Sequence, residues 1–248
     1  RARGVLRARA YAAYAWALYG AFAPFVWLGI LTLPRRARWA LMRGAARLAA
    51  RLAGIPLRVE GLERLPGDRP FVLAANHSSY LDVYALVGAL PVELGFVAKA
   101  ELARNPFIRI PLRRVGVEFV QRADRRQSAA DARRVARAAG AGRALAFFPE
   151  GTFTRMPGLL PFRMGAFVTA AEAGLPVVPV AIRGTRSMLR SGSWLPRRGA
   201  IRITVGAPIE PGGGADRWSV ALGLRDATRA WLLEHCGEPD LAHERPPI

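Results

Sequence analysis

Acid is what the first part of this chain lacks. Residues 1–59 contain eleven arginines and no aspartate or glutamate, and they carry more than half of the formal net charge of +19. Such a segment attracts polyanions, either nucleic acid or an anionic lipid surface. No recognisable nucleic-acid module accompanies the charge, so no nucleic-acid partner is expected. Cysteine is nearly absent. Cys236 alone permits no internal disulfide and no cysteine-based metal cluster, which fits a reducing compartment. Of three histidines, His235 and His243 lie near the C-terminus, so no metal site is expected. The Gly-x-Ser-x-Gly elbow of many serine hydrolases is missing. Lysine is the last scarcity: 36 of the 37 basic residues are arginine, and Lys99 is the exception. Either a base-composition bias spared one codon, or position 99 needs a compact, flexible ammonium rather than a planar fork.

What is present is apolar. At 248 residues and 52 % hydrophobic side chains, the chain suits one α/β domain with an appendage. Ala10 to Pro34 runs 25 residues without a charge and includes Tyr11, Tyr14, Trp16, Tyr19, Phe22, Phe25 and Trp27. That length crosses a bilayer as a helix, and it is too long for a signal peptide. Arginines flank both ends, which conflicts with a simple crossing. A bend at Gly20 and Pro24 would give a hairpin or interfacial dip with both ends on the cytoplasmic side. Arg36 to Ala53 reads as an amphipathic helix, with Arg43, Arg47 and Arg51 on one face, suited to anionic headgroups. Residues 1–55 are therefore expected to form a membrane-associated helical segment, and residues 56–248 the α/β domain, at the cytoplasmic face of the cell membrane.

Beyond Leu57, short β-like runs alternate with helical ones. Strands are expected at Leu57–Val59, Phe71–Ala74, Gly95–Ala98, Val117–Val120, Ala144–Phe148, Val177–Ile182 and Ile201–Val205. Helices are expected near Tyr80–Leu90, Glu101–Arg114, Ala129–Ala139, Met164–Ala173 and Asp216–His235. The alternation predicts an α/β fold with a mostly parallel or mixed sheet flanked by helices, and reactive groups at strand ends.

Four blocks carry the chemistry. In Asn76-His77-Ser78-Ser79-Tyr80-Leu81-Asp82, the histidine falls at a strand end and the aspartate in the first turn of the next helix. That carboxylate can orient the imidazole and leave its other nitrogen as a general base. Taken alone, the same spacing also describes a histidine that caps a helix. Gly116-Val117-Glu118-Phe119-Val120-Gln121-Arg122 places a guanidinium just past a strand, and Phe148-Pro149-Glu150-Gly151-Thr152 puts a hydroxyl-binding carboxylate beside a glycine. Val178-Pro179-Val180-Ala181-Ile182-Arg183-Gly184 is an apolar strand marked by its proline.

In this order the blocks resemble the glycerophospholipid acyltransferase family that includes 1-acylglycerol-3-phosphate acyltransferase, over Leu57 to Val205. The resemblance implies acyl transfer from acyl-CoA or acyl carrier protein to the free hydroxyl of a lysophospholipid, most directly 1-acylglycerol-3-phosphate giving phosphatidate, with no cofactor. It implies His77 and Asp82 as the catalytic pair, with Lys99, Arg122, Glu150, Gly151, Thr152 and Arg155 toward the substrate. Another lysolipid acceptor, or a non-catalytic cationic membrane anchor, is the alternative. Two departures stand out. The family commonly has arginine directly after Glu-Gly-Thr, whereas Phe153 and Thr154 intervene here before Arg155. Its Phe-Lys-x-Gly-Ala appears here as Phe162-Arg163-Met164-Gly165-Ala166. The chain also resembles acyltransferase domains fused to an adenylate-forming acyl ligase, and its start at Arg1 predicts a piece of a longer polypeptide.

Overall fold

Val72–Ala75 is apolar on both sides of the strand it forms, so each face of its sheet must be covered by another layer. A computed structural model describes residues 2–67, 69–120, 144–213 and 216–243. Its strands are β1 (Leu57–Glu60), β2 (Val72–Ala75), β3 (Leu94–Lys99), β4 (Glu118–Val120), β5 (Ala144–Phe147), β6 (Val177–Arg183) and β7 (Ile201–Val205). Its helices are α1 (Ala2–Thr32), α2 (Arg35–Leu52), α3 (Leu81–Ala89), α4 (Pro106–Arg114), α5 (Gly165–Ala173), α6 (Thr185–Met188) and α7 (Arg217–Cys236). All seven expected strands form within a residue of their expected ends. The expected helix Glu101–Arg114 is divided: a 3₁₀ segment covers Ala100–Arg104, then Asn105 accepts from the Phe107 N–H and Pro106 opens α4. The short α6 was not expected, and the helix expected at Ala129–Ala139 lies outside the described residues.

The seven strands form one mixed sheet in the order β1-β7-β6-β2-β5-β3-β4. Only the β6–β7 pairing is antiparallel, so β1 and β7 run against the other five. The C-terminal ends of β2, β3, β4, β5 and β6 consequently meet at one edge. On one face Leu73, Val178, Val180 and Ile203 pack with Leu86 of α3 and Trp39 of α2. On the other, Val72, Leu145 and Val177 pack with Phe167 and Ala170 of α5 and Leu224 of α7. Each such buried side chain contributes roughly 1.5–3 kcal/mol. An exposed pair such as Arg69–Glu210 contributes about 0–1 kcal/mol. Burial therefore holds the layers together.

The amino-terminal segment differs from expectation. Helix α1 runs unbroken through Gly20 and Pro24. The chain does not turn back at these residues, and α1 is braced against α2 at both ends. Near one end Gly29 lies so close to α2 that a side chain there would strike Leu41. Near the other, the Tyr11 hydroxyl donates to the Ala53 carbonyl at 3.1 Å and that of Tyr14 to Leu52 at 3.0 Å. These bonds satisfy carbonyls that a helix end leaves unpaired. The chain reverses instead at Leu33 and Pro34, where the proline is extended. By length and composition α1 suffices to cross a membrane, and only 6 % of its apolar window is buried. Part of the basic face of α2 has partners within the protein. Arg47 donates to the Gly88 carbonyl at 2.7 Å and Arg43 to that of Val92 at 3.4 Å, so both serve the C-terminal end of α3 and the turn after it.

Candidate active site

Strand β2 is followed by Asn76, whose buried side chain continues the sheet beyond the strand. Its amide donates to the Ile182 carbonyl at 2.9 Å and accepts from the Ile182 N–H at 2.7 Å. Position 77 is thereby tied to the end of β6, and the chain then turns into α3. The Ser79 hydroxyl accepts from Leu81 N–H at 3.2 Å and donates to the Leu189 carbonyl at 2.7 Å, which anchors the first turn.

Asp82, in that first turn, is fully buried. Its Oδ2 accepts from three donors: Nδ1 of His77 at 2.8 Å, Ser78 N–H at 2.7 Å and Ser79 N–H at 2.8 Å. The helix N-terminus also favours a negative charge there. An ionised carboxylate only accepts, so Nδ1 carries the proton and Nε2 holds the free lone pair. Nε2 makes no hydrogen bond among the described residues. The imidazole side chain is 16 % exposed. Phe148 stacks on it at 4.1 Å between centroids, and Phe153 approaches edge-on at 4.5 Å. The ring thus keeps an open edge while its faces are shielded.

Glu150 does not lie where expected. Its carboxylate is buried rather than turned to the cleft. Oε1 accepts from the His77 N–H at 2.6 Å and Oε2 from Leu160 N–H at 2.8 Å. The cause is the turn that carries it. Gly151 donates to the Phe148 carbonyl at 2.9 Å and has a φ of 74°, which folds the side chain at 150 inward. Burial pushes the Glu150 carboxyl up to about 8, against the pull of both N–H donors and Arg186.

The cationic candidates are spread along the same edge. Lys99 closes β3, two strands from β2 and so roughly 10 Å along the sheet. It is exposed and makes no ion pair among the described residues. Arg155 is likewise exposed, past the half-buried Thr152 and Phe153. Arg122 lies outside the described residues. Three contributors went unassigned in the sequence. Asn76 had a weak signal, as a polar residue closing an apolar strand. Phe153 had one too, as an aromatic in a place that commonly holds arginine. Arg186 had none: it donates to the Thr154 and Met156 carbonyls at 2.7 and 2.8 Å and to Glu238 at 2.7 Å, and so fixes the loop that carries Phe153.

The family model described as Acyltransferase matches residues 56–183. Over 153 residues the chain is 35 % identical to the 1-acyl-sn-glycerol-3-phosphate acyltransferase BAT2, chloroplastic, of Brassica napus, covering 61 % of this chain and 44 % of that protein. Over 154 residues it is 31 % identical to the 1-acyl-sn-glycerol-3-phosphate acyltransferase of Bacillus subtilis, covering 62 % of this chain and 73 % of that one. The chain thus spans less than half the length of the Brassica relative. It is similar in fold to the crystal structure of the 1-acyl-sn-glycerophosphate (LPA) acyltransferase PlsC from Thermotoga maritima. The TM-score is 0.69 at 24 % identity, over 91 % of this chain and 95 % of that one.

The displaced titration of Glu150 has a measurable consequence. A carboxyl whose native pKa of about 8 exceeds its ordinary 4.5 takes up a proton on folding between those values. The stability it contributes is complete below about pH 4.5, declines as pH rises and is lost above about pH 8. Thermal melts of the wild type against Glu150→Gln, which has no proton to exchange, should diverge downward across that window. A pH-independent difference between the two would contradict the assignment.

Proposed function

The chain belongs to the acyltransferase family, and we propose that it moves a fatty acyl group from acyl-CoA or acyl carrier protein to the free hydroxyl of a lysophospholipid, with 1-acylglycerol-3-phosphate giving phosphatidate as the leading reaction. The observation that carries this reading is the 2.8 Å contact between His77 Nδ1 and the buried Asp82, which leaves Nε2 as the basic nitrogen. As the acceptor oxygen bonds to the thioester carbonyl carbon, its proton passes to Nε2. The tetrahedral intermediate collapses with cleavage of the C–S bond, and the departing thiolate takes the proton back from the imidazolium. Asp82 stays ionised throughout and stabilises the imidazolium. The acceptor hydroxyl fills the place of the enzyme serine that a hydrolase would supply.

Lys99, Arg122 and Arg155 are proposed to receive the acceptor phosphate, with Gly151 and Thr152 at the nearby turn. Support for Lys99 is its exposed ammonium, without an ion pair among the described residues, at the same sheet edge as His77. Phe153 beside the imidazole favours a second reading, in which the acceptor is a lysolipid with a less anionic headgroup. The membrane reading is also ours. Helix α1 lies along α2 from Tyr11 to Gly29, and α2 packs on the domain. A spanning α1 would carry the basic α2 into hydrocarbon at large cost. An interfacial, monotopic anchor on the anionic cytoplasmic face is favoured instead.

His77→Ala should lower acyl transfer to 1-acylglycerol-3-phosphate at least about 100-fold in a thiol-release assay. Retention of more than a few per cent of the activity by a folded variant would refute the mechanism. Lys99→Ala should raise the KM for phosphate-bearing acceptors more than the KM for acyl-CoA, across a panel of lysolipids and both donors. Equal shifts would remove the phosphate assignment. Phe25 and Leu28 are exposed on α1. The double substitution Phe25→Asp and Leu28→Asp should release the protein from anionic vesicles in a sedimentation assay, and unchanged binding would rule out α1 as the anchor.

A further inference from the structure

We infer that Glu150 is a positioning residue for His77: its carboxylate holds the backbone of the base, and through it the ring, rather than binding the substrate. The inference rests on the assignment of His77 as the base. Glu150 is 1 % exposed, and both of its oxygens are occupied. A carboxyl group whose two oxygens each take a short N–H bond, and which has no open surface, has no room for a substrate hydroxyl. What it does have is leverage. The two N–H groups belong to segments far apart in sequence, the residue after Asn76 and the residue after Leu159. Glu150 bridges them across the floor of the site.

The imidazole is constrained at three points. Asp82 fixes Nδ1, Phe148 supports one ring face, and Glu150 fixes the main chain from which the ring springs. Removal of the first alters the tautomer and charge of the ring. Removal of the third leaves chemistry and charge intact but frees the peptide at position 77 to shift. The Leu160 side of the bridge is itself pinned. Arg229 donates to the Leu160 carbonyl at 2.6 Å, and the Gly158 N–H donates to Glu238 at 2.6 Å. Glu150 therefore sits between a rigid wall and the one residue whose placement the reaction needs.

The sharpest probe is Glu150→Gln. The amide is nearly isosteric, but its nitrogen cannot accept a hydrogen bond, so at most one of the two N–H donors keeps its partner. A misplacement of about 1 Å at a reacting group costs about 100-fold in rate. The variant should therefore lose about 10-fold to 100-fold in kcat, with KM for 1-acylglycerol-3-phosphate changed less than about twofold. The low-field proton resonance of the Nδ1–H to Asp82 bridge should broaden or shift. A raised KM at unchanged kcat would overturn the inference in favour of direct substrate contact. Wild-type kcat with an undisturbed resonance would overturn it altogether. If Glu150→Gln fails to fold, Glu150→Asp keeps both acceptors but withdraws them by one methylene, and the same split between kcat and KM is expected of it. The resonance also separates this idea from the assignment of the base. An active His77→Ala enzyme would remove the base while the bridge proton of the wild type still responded to position 150.

Discussion

One buried oxygen organises the site. Oδ2 of Asp82 accepts from the imidazole and from two consecutive backbone N–H groups, so a single atom fixes both the tautomer of His77 and the path of the chain around it. A carboxylate buried without such donors would be costly, and it is the convergence of three donors that makes its burial tolerable. The arrangement needs a short turn from β2 into α3, with four residues between His77 and Asp82. That spacing is therefore a geometric requirement of the turn.

The sheet supplies the rest of the constraint. Parallel strands deliver all of their C-terminal ends to one edge, so His77 after β2, the turn after β5 and the lysine closing β3 arrive together without any sequence proximity. The reversal of β7 and β1 leaves this edge intact, because it affects only one flank. The site lies where the polarity of the sheet concentrates loops, as in other open α/β sheets.

Much of this was legible in the chain. The central strands β2 and β5 announced themselves as apolar runs between turn residues, because burial on both faces leaves no room for polar alternation, whereas β1 and β7 alternate. The His77–Asp82 pair was readable for a local reason: five residues across a strand-to-helix turn bring two side chains together whatever the tertiary fold. Glu150 was misread because its partners are backbone N–H groups at His77 and Leu160, and backbone leaves no signature in side-chain identity. Pro24 was misread for a related reason. A local helix-breaking cost of about 3 kcal/mol is outweighed by docking on a neighbouring helix, and the bracing tyrosine contacts span about forty residues.

The clamp on the loop at Gly158–Leu160 bears on how the protein is made. That loop is held by Glu238, by Arg229 and by the Pro239 carbonyl, the first of these partners lying 80 residues downstream of Gly158. Synthesis proceeds from the amino terminus, so the apolar α1 leaves the ribosome early and the residues that steady the floor of the site leave late. The segment proposed as the anchor therefore emerges well before the residues that complete the surroundings of His77, and the two are separated in time by most of the chain's synthesis.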